Sequence, residues 1–314
     1  MDALVMIVAP IVLISSLVAA IVWSRHRTRL TRIDAAPYPQ LVRLGRLTLF
    51  SRYAGAAVAL VWIVAVTFLA PTWLVVAPAI AGTLVIASST IGEVILFNAA
   101  RNPGMAALQH RSVRDWLPRG LLVAAAIGLA VFGALIAAGW RLADPAGRAY
   151  TVSAWSGGEL ICQSESGPFF GSHYSAPAMI ATAVCLIAAG VGAWIVASRP
   201  QNGADPVLAE WDGALRRSSM RAIVATVLGV LAANVLIATF LLNVPNPPSD
   251  NWCSTDLPLE FSGGSEWLGT VQHLATVAGY VALVTAVVAA VFVFSDATPD
   301  RGPAARPAPG EGRR

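Results

Sequence analysis

The apolar residues of this chain are gathered into long blocks instead of recurring at a helical or strand period. Seven blocks can be drawn, at about Ala3–Trp23, Tyr53–Ala70, Leu74–Phe97, Gly120–Trp140, Ala176–Ser198, Ala222–Leu242 and Leu268–Phe294. Each approaches the roughly 20 residues with which a helix, rising ~1.5 Å per residue, crosses ~30 Å of hydrocarbon. A transmembrane β-barrel would show short alternating segments instead. The pattern predicts an all-α fold, a polytopic transmembrane helical bundle of about seven spans. Residues 1–295 form its membrane domain. Residues 296–314, rich in Pro, Gly, Ala and Arg, form a cytoplasmic tail with too little apolar surface to fold.

The segments between blocks carry weaker signals. Leu41, Leu44 and Thr48 fall at helical spacing among Arg43, Arg46 and Arg52, the pattern of a basic interfacial helix leading into the second block. Asp205-Pro206 supplies an N-cap acceptor and a Pro at the first helical position. Leu208, Trp211 and Leu215 then share one face, with Asp212 and Arg216 an i, i+4 pair on another, so a short amphipathic helix is expected to run into the sixth block. The turn near Pro71–Trp73 is short and predicts a tight hairpin of blocks two and three. The longer connections, about Arg141–Ser175 and Asn243–Trp267, each hold one Cys, a Trp and a Gly pair. That likeness reads as the ordinary composition of Gly- and Ser-rich loops or, alternatively, as an internal repeat of the transporter kind.

Composition strengthens the membrane reading. Of 314 residues, 56% are hydrophobic and only 12% charged, against about 25% charged in soluble domains. A formal charge of +4 would suit nucleic acid, but its distribution does not. All 21 basic residues are Arg, and 19 of them lie after blocks one, three, five and seven, leaving only Arg141 and Arg148 in the alternate connections. The positive-inside rule then places the N-terminus outside and the C-terminus inside, as an odd span count requires. Met1 and Asp2 precede the first block and Arg25, Arg27 and Arg29 follow it, which is the pattern of a retained anchor and not of a signal peptide.

Polar residues within the blocks are the candidates for chemistry. Glu93 lies about one turn from the inner end of the third block, and a structural ion pair with Arg101 or Arg114 competes with a proton or cation site. Asn234 lies mid-span and needs an interhelical partner. His273, Thr276 and Tyr280 share a face of the seventh block beside Gln272, a face expected to meet protein or water. No metal or cofactor is expected: CxxC and HExxH are absent, and the other histidines (His26, His110, His173) lie in loops, leaving His273 no partner for haem. Glu93 and His273 would stand roughly 20 Å or more apart, too far to share a catalytic site, so the chain is not expected to be an enzyme. Cys162 and Cys253 lie in the two outer loops, where a disulfide between them is expected. Cys185 reads as a small packing residue. Small residues at four-residue spacing (Ala225, Gly229, Ala233; Ala188, Gly192; Ala278, Ala282, Ala286, Ala290) predict close helix packing.

Four stretches carry a resemblance: Ser112–Arg119, Gly167–Tyr174, Ala214–Ser219 and the Gly92-Glu93 step. Together they resemble a group of actinobacterial multi-pass membrane proteins of no known activity. The resemblance implies topology and lineage and no chemistry. A cysteine pair would be expected in the first outer loop of that group, where this chain has Cys162 alone. The expected function is a non-catalytic accessory or regulatory component of an inner-membrane complex, in contact with the lipid bilayer and a membrane or cytoplasmic protein partner, without nucleic acid or metal. The alternative is a small-solute or proton-coupled transporter using Glu93, Asn234 and His273.

Overall fold

The computed structural model describes residues 39–69, 71–99, 116–199, 206–243, 260–262 and 265–294. The first apolar block, the tail from residue 296, Cys253, Arg101 and Arg114 lie outside the described residues. Along the described chain run α1 (Pro39–Leu69), a 3-10 turn (Pro71–Val75), α2 (Ala77–Ala99), α3 (Arg119–Leu142), β1 (Tyr150–Ser156), β2 (Glu159–Ser166), α4 (Ser172–Ser198), α5 (Pro206–Asn243), β3 (Glu260–Ser262) and α6 (Ser265–Phe294). Each of the six helices contains a stretch long and apolar enough to cross a membrane. The chain is a helical, multi-pass membrane protein.

Helix α5 is the axis of the bundle. Its apolar window is 67% buried, against 22–33% for the other five. It packs most extensively on α6 and also touches α2, α3 and α4, while α1 and α2 form a hairpin against one side. Small residues let these helices close. Ala275, Gly279, Ala282 and Ala289 are the buried row of α6, and Gly279 lies against Thr239 of α5.

Two helices extend well beyond the length a membrane span needs. α1 begins at Pro39, and α5 begins at Pro206 and runs 38 residues, or about 57 Å by helix rise. Both overhangs fall at the end of the bundle that carries Arg52, Arg119, Arg199, Arg216, Arg217 and Arg221.

The opposite end carries a small antiparallel sheet of order β2-β1-β3. Gly157 and Gly158 both have positive φ, +59° and +86°, the geometry of a type I′ two-residue hairpin turn. β3, from the connection between α5 and α6, pairs with the other edge of β1, Ala154 opposite Phe261. In the described residues, the connection between α3 and α4 thus folds as a hairpin and that between α5 and α6 adds one strand to it. Beneath the sheet, Phe169 and Phe170 are fully buried, and Trp140 of α3 donates from Nε1 to Ser175 Oγ of α4 at 2.5 Å. α3 and α4 are fastened at this end and separate toward the Arg-rich one.

Candidate functional site

The densest polar cluster in the described residues surrounds Glu93. This carboxylate, 3% exposed, projects from the last turns of α2 and needs donors because lipid offers none. Arg199, the residue that follows α4, supplies one: its Nη1 lies 2.8 Å from Glu93 Oε2. Arg199 Nη2 reaches Asp212 Oδ1, near the start of α5. Asp212 Oδ2 in turn accepts from Arg216 Nε at 2.8 Å, one turn along the same helix. Arg216 then donates to the carbonyls of Ala197 at 3.1 Å and Arg199 at 2.5 Å. Those are end-of-helix carbonyls with no intrahelical donor, and a cation there satisfies both the lone pairs and the helix dipole.

The chain of contacts continues to α1. Ser219 donates to Glu93 Oε1 and accepts from Arg52 Nη2 at 3.0 Å, with Arg52 Nη1 at 3.4 Å from Ser218. Arg52, Arg199 and Arg216 are each less than 9% exposed. Four helices, α1, α2, α4 and α5, are therefore joined through one network. Both oxygens of Glu93 and both of Asp212 already accept a hydrogen bond. Trp116, ahead of α3, has the guanidinium groups of Arg216 and Arg217 at 5.9 and 5.8 Å from its ring, and so brings α3 to the same end.

The other sequence candidates lie elsewhere. Asn234 is 1% exposed and donates to Thr182 Oγ1 of α4 at 2.9 Å. It stands 15 positions beyond Ser219 on α5, roughly 22 Å by helix rise. Gln272 donates to the Leu242 carbonyl at 3.1 Å, a further ~12 Å along α5. His273 is exposed, as is Tyr280 at 40%. The five side chains Glu93, Asn234, Gln272, His273 and Tyr280 do not converge. The row Ala275, Gly279 and Ala282 of α6 packs on its neighbours, because small residues allow close approach, and of the polar face Gln272 and Thr276 reach Leu242 and Asn243 at the end of α5. His273 and Tyr280 are left on the outer surface.

Cys162 on β2 is disulfide-bonded, and Cys185 is free and buried in α4. Among the described residues no group of three or more His, Cys, Asp or Glu side chains is placed to hold a metal ion.

Sequence reasoning missed four members of the cluster. Arg199 reads as one more topology-setting Arg after a span. Arg52 reads as part of a basic interfacial helix. Ser218 and Ser219 carry no signal beyond being polar at the edge of an apolar block. Asp212 and Arg216 were legible as a pair, but on an exposed helix face, whereas both are buried.

Comparison with protein-family models, with curated proteins and with solved structures finds no match.

Proposed function

We propose that this chain is a non-catalytic membrane protein of the bacterial inner membrane, an accessory or regulatory component of a larger complex. The observation that carries the reading is the dispersal of its buried polar groups. Glu93, the Nδ2 of Asn234 and Gln272 each join one helix to another, at three levels of α5 that together span roughly 34 Å. A solute or proton path needs such groups at adjoining depths, facing a shared space, so the dispersal weighs against transport.

The helical overhangs of α1 and α5 support a docking role, since both present structure beyond the membrane at one end. The Arg excess at that end supports its assignment to the cytoplasm, with the N-terminus outside and the C-terminus inside. The resemblance to actinobacterial multi-pass proteins supports the same lineage and topology.

The test is purification of the tagged chain, at its natural abundance, in a gentle detergent. It is expected to co-migrate with a stoichiometric membrane or cytoplasmic protein. A solitary 32.7 kDa monomer contradicts the proposal.

A further inference from the structure

Where α3 and α4 separate, they leave an apolar groove of about 420 Å³ whose floor is α5. Leu122 and Leu129 of α3, Leu186 and Trp194 of α4, and Ile223 and Leu231 of α5 mark its extent. From Ile223 to Leu231 it runs roughly 12 Å along the helix axis, and every residue lining it is apolar. Gly190 lies on its wall, and a Cβ built there meets nothing within 4 Å. Trp194 is 65% exposed to the groove's open side.

One end of the groove is charged. Leu117 lines it, and Arg119, two residues on, is exposed at the first turn of α3, which has no side-chain cap. Arg217 of α5 is exposed too, its guanidinium 5.8 Å from the ring of Trp116, the residue before Leu117. Arg216, on the same ring, is committed to Asp212. Among the described residues, neither Arg119 nor Arg217 has a carboxylate partner.

We propose that this groove is a site for an anionic phospholipid. One acyl chain lies along α5 between α3 and α4, and the phosphate sits between Arg119 and Arg217. The slot is apolar along its ~12 Å length and cationic only at the level of the headgroups, where two exposed Arg residues and the free end of a helix dipole favour an anion. A transmembrane helix of a protein partner or of a second copy would fill the slot without using the two charges.

Trp194 reports occupancy directly. The full chain is reconstituted in phosphatidylcholine bilayers containing increasing fractions of a phospholipid brominated on its acyl chain, carrying either a phosphatidylglycerol or a phosphatidylcholine headgroup. The quenching lost in Trp194→Phe is the signal from the groove. Brominated phosphatidylglycerol is expected to reach half-maximal quenching of that signal at a fraction several-fold lower, given about five-fold preference per Arg near the headgroups. Arg119→Gln with Arg217→Gln should bring the two lipids level. Gly190→Leu, which fills open space, should abolish the signal in a folded protein. Equal quenching by both lipids in the unmodified chain means ordinary lipid solvation and overturns the proposal. Absence of quenching by either, which a protein occupant would produce, also overturns it, as does a preference that survives both sets of substitutions.

Discussion

Asn234 of α5 donates from Nδ2 to Thr182 Oγ1 of α4 at 2.9 Å, and Thr182 passes its own hydrogen to the Ala178 carbonyl at 2.7 Å. Both side chains are buried mid-bundle, so the pair joins two helices away from the bundle surface. Thr182→Val keeps the shape and removes the acceptor. It should cost about 1–2 kcal/mol, read as a lower melting temperature in mild detergent. Asn234→Leu in the same background should cost less than it does alone, because the unpaired amide goes with it. Additive losses would show that the two side chains are not coupled.

The seam between α3 and α4 at the sheet end is closed in part by Gly139. A Cβ at Gly139 would fall inside contact distance of the backbone oxygen of Phe170, an atom that cannot rotate away, whereas Gly133 on the same helix faces open space. Gly139→Ala should therefore destabilise the fold by about 1–3 kcal/mol, while Gly133→Ala should leave the melting temperature level or slightly raised. Equal behaviour of the two variants would contradict the packing described here.

Asp144, in the loop after α3, accepts from the backbone N–H groups of Arg148 at 2.7 Å and Ala149 at 3.0 Å. These bonds, that from Ala149 first, hold its carboxyl below the usual value of 3.8. A lowered folded-state value means that the loop's contribution is fully present above the ordinary carboxylate range and is lost as the pH falls through the folded value. Hydrogen exchange at Arg148 and Ala149, corrected for intrinsic rate, should be flat from neutral pH down to about pH 5 and should lose protection below about pH 4. In Asp144→Asn that acid step should be missing. An unchanged step in the variant would assign it to another group.

Cys162 is bonded, and the chain holds only two other cysteines, of which Cys185 is free. Cys162→Ser and Cys253→Ser should therefore give the same change in mobility on a non-reducing gel and the same loss of stability, while Cys185→Ala gives neither. Different behaviour of the two serine variants would rule out a single bridge between the outer connections.

What could be read from the sequence depended on how far apart the partners are. The six described spans follow from local composition alone. The starts of α1 and α5 follow from short-range signals, Leu41 and Leu44 at one and Asp205-Pro206 at the other. Asp212 and Arg216 were legible because helix geometry makes residues four apart into neighbours. Glu93 and Arg199 are 106 positions apart, and no periodicity joins them. The sheet was hidden for a related reason: β1 is seven residues long and takes β3, its second partner, from beyond α5. On α6 the polar face divides: Gln272 and Thr276 reach α5, while His273 is exposed beside the close-packed Ala275 and Gly279.

The Glu93–Arg199 pair fastens α2 to α4 and α5. Removing either partner leaves the buried Arg–carboxylate network one charge out of balance and should cost about 3–5 kcal/mol. The measurement is thermal unfolding in gentle detergent of Glu93→Gln, Arg199→Gln and the double variant, with protein-dependent uptake into vesicles followed in parallel. Each single variant should melt well below the parent, and the double variant should lose clearly less than the two losses combined. A Glu93→Gln protein that folds and melts like the parent, yet has lost a solute or proton uptake that the parent shows, would contradict the account and make this carboxylate a transport site.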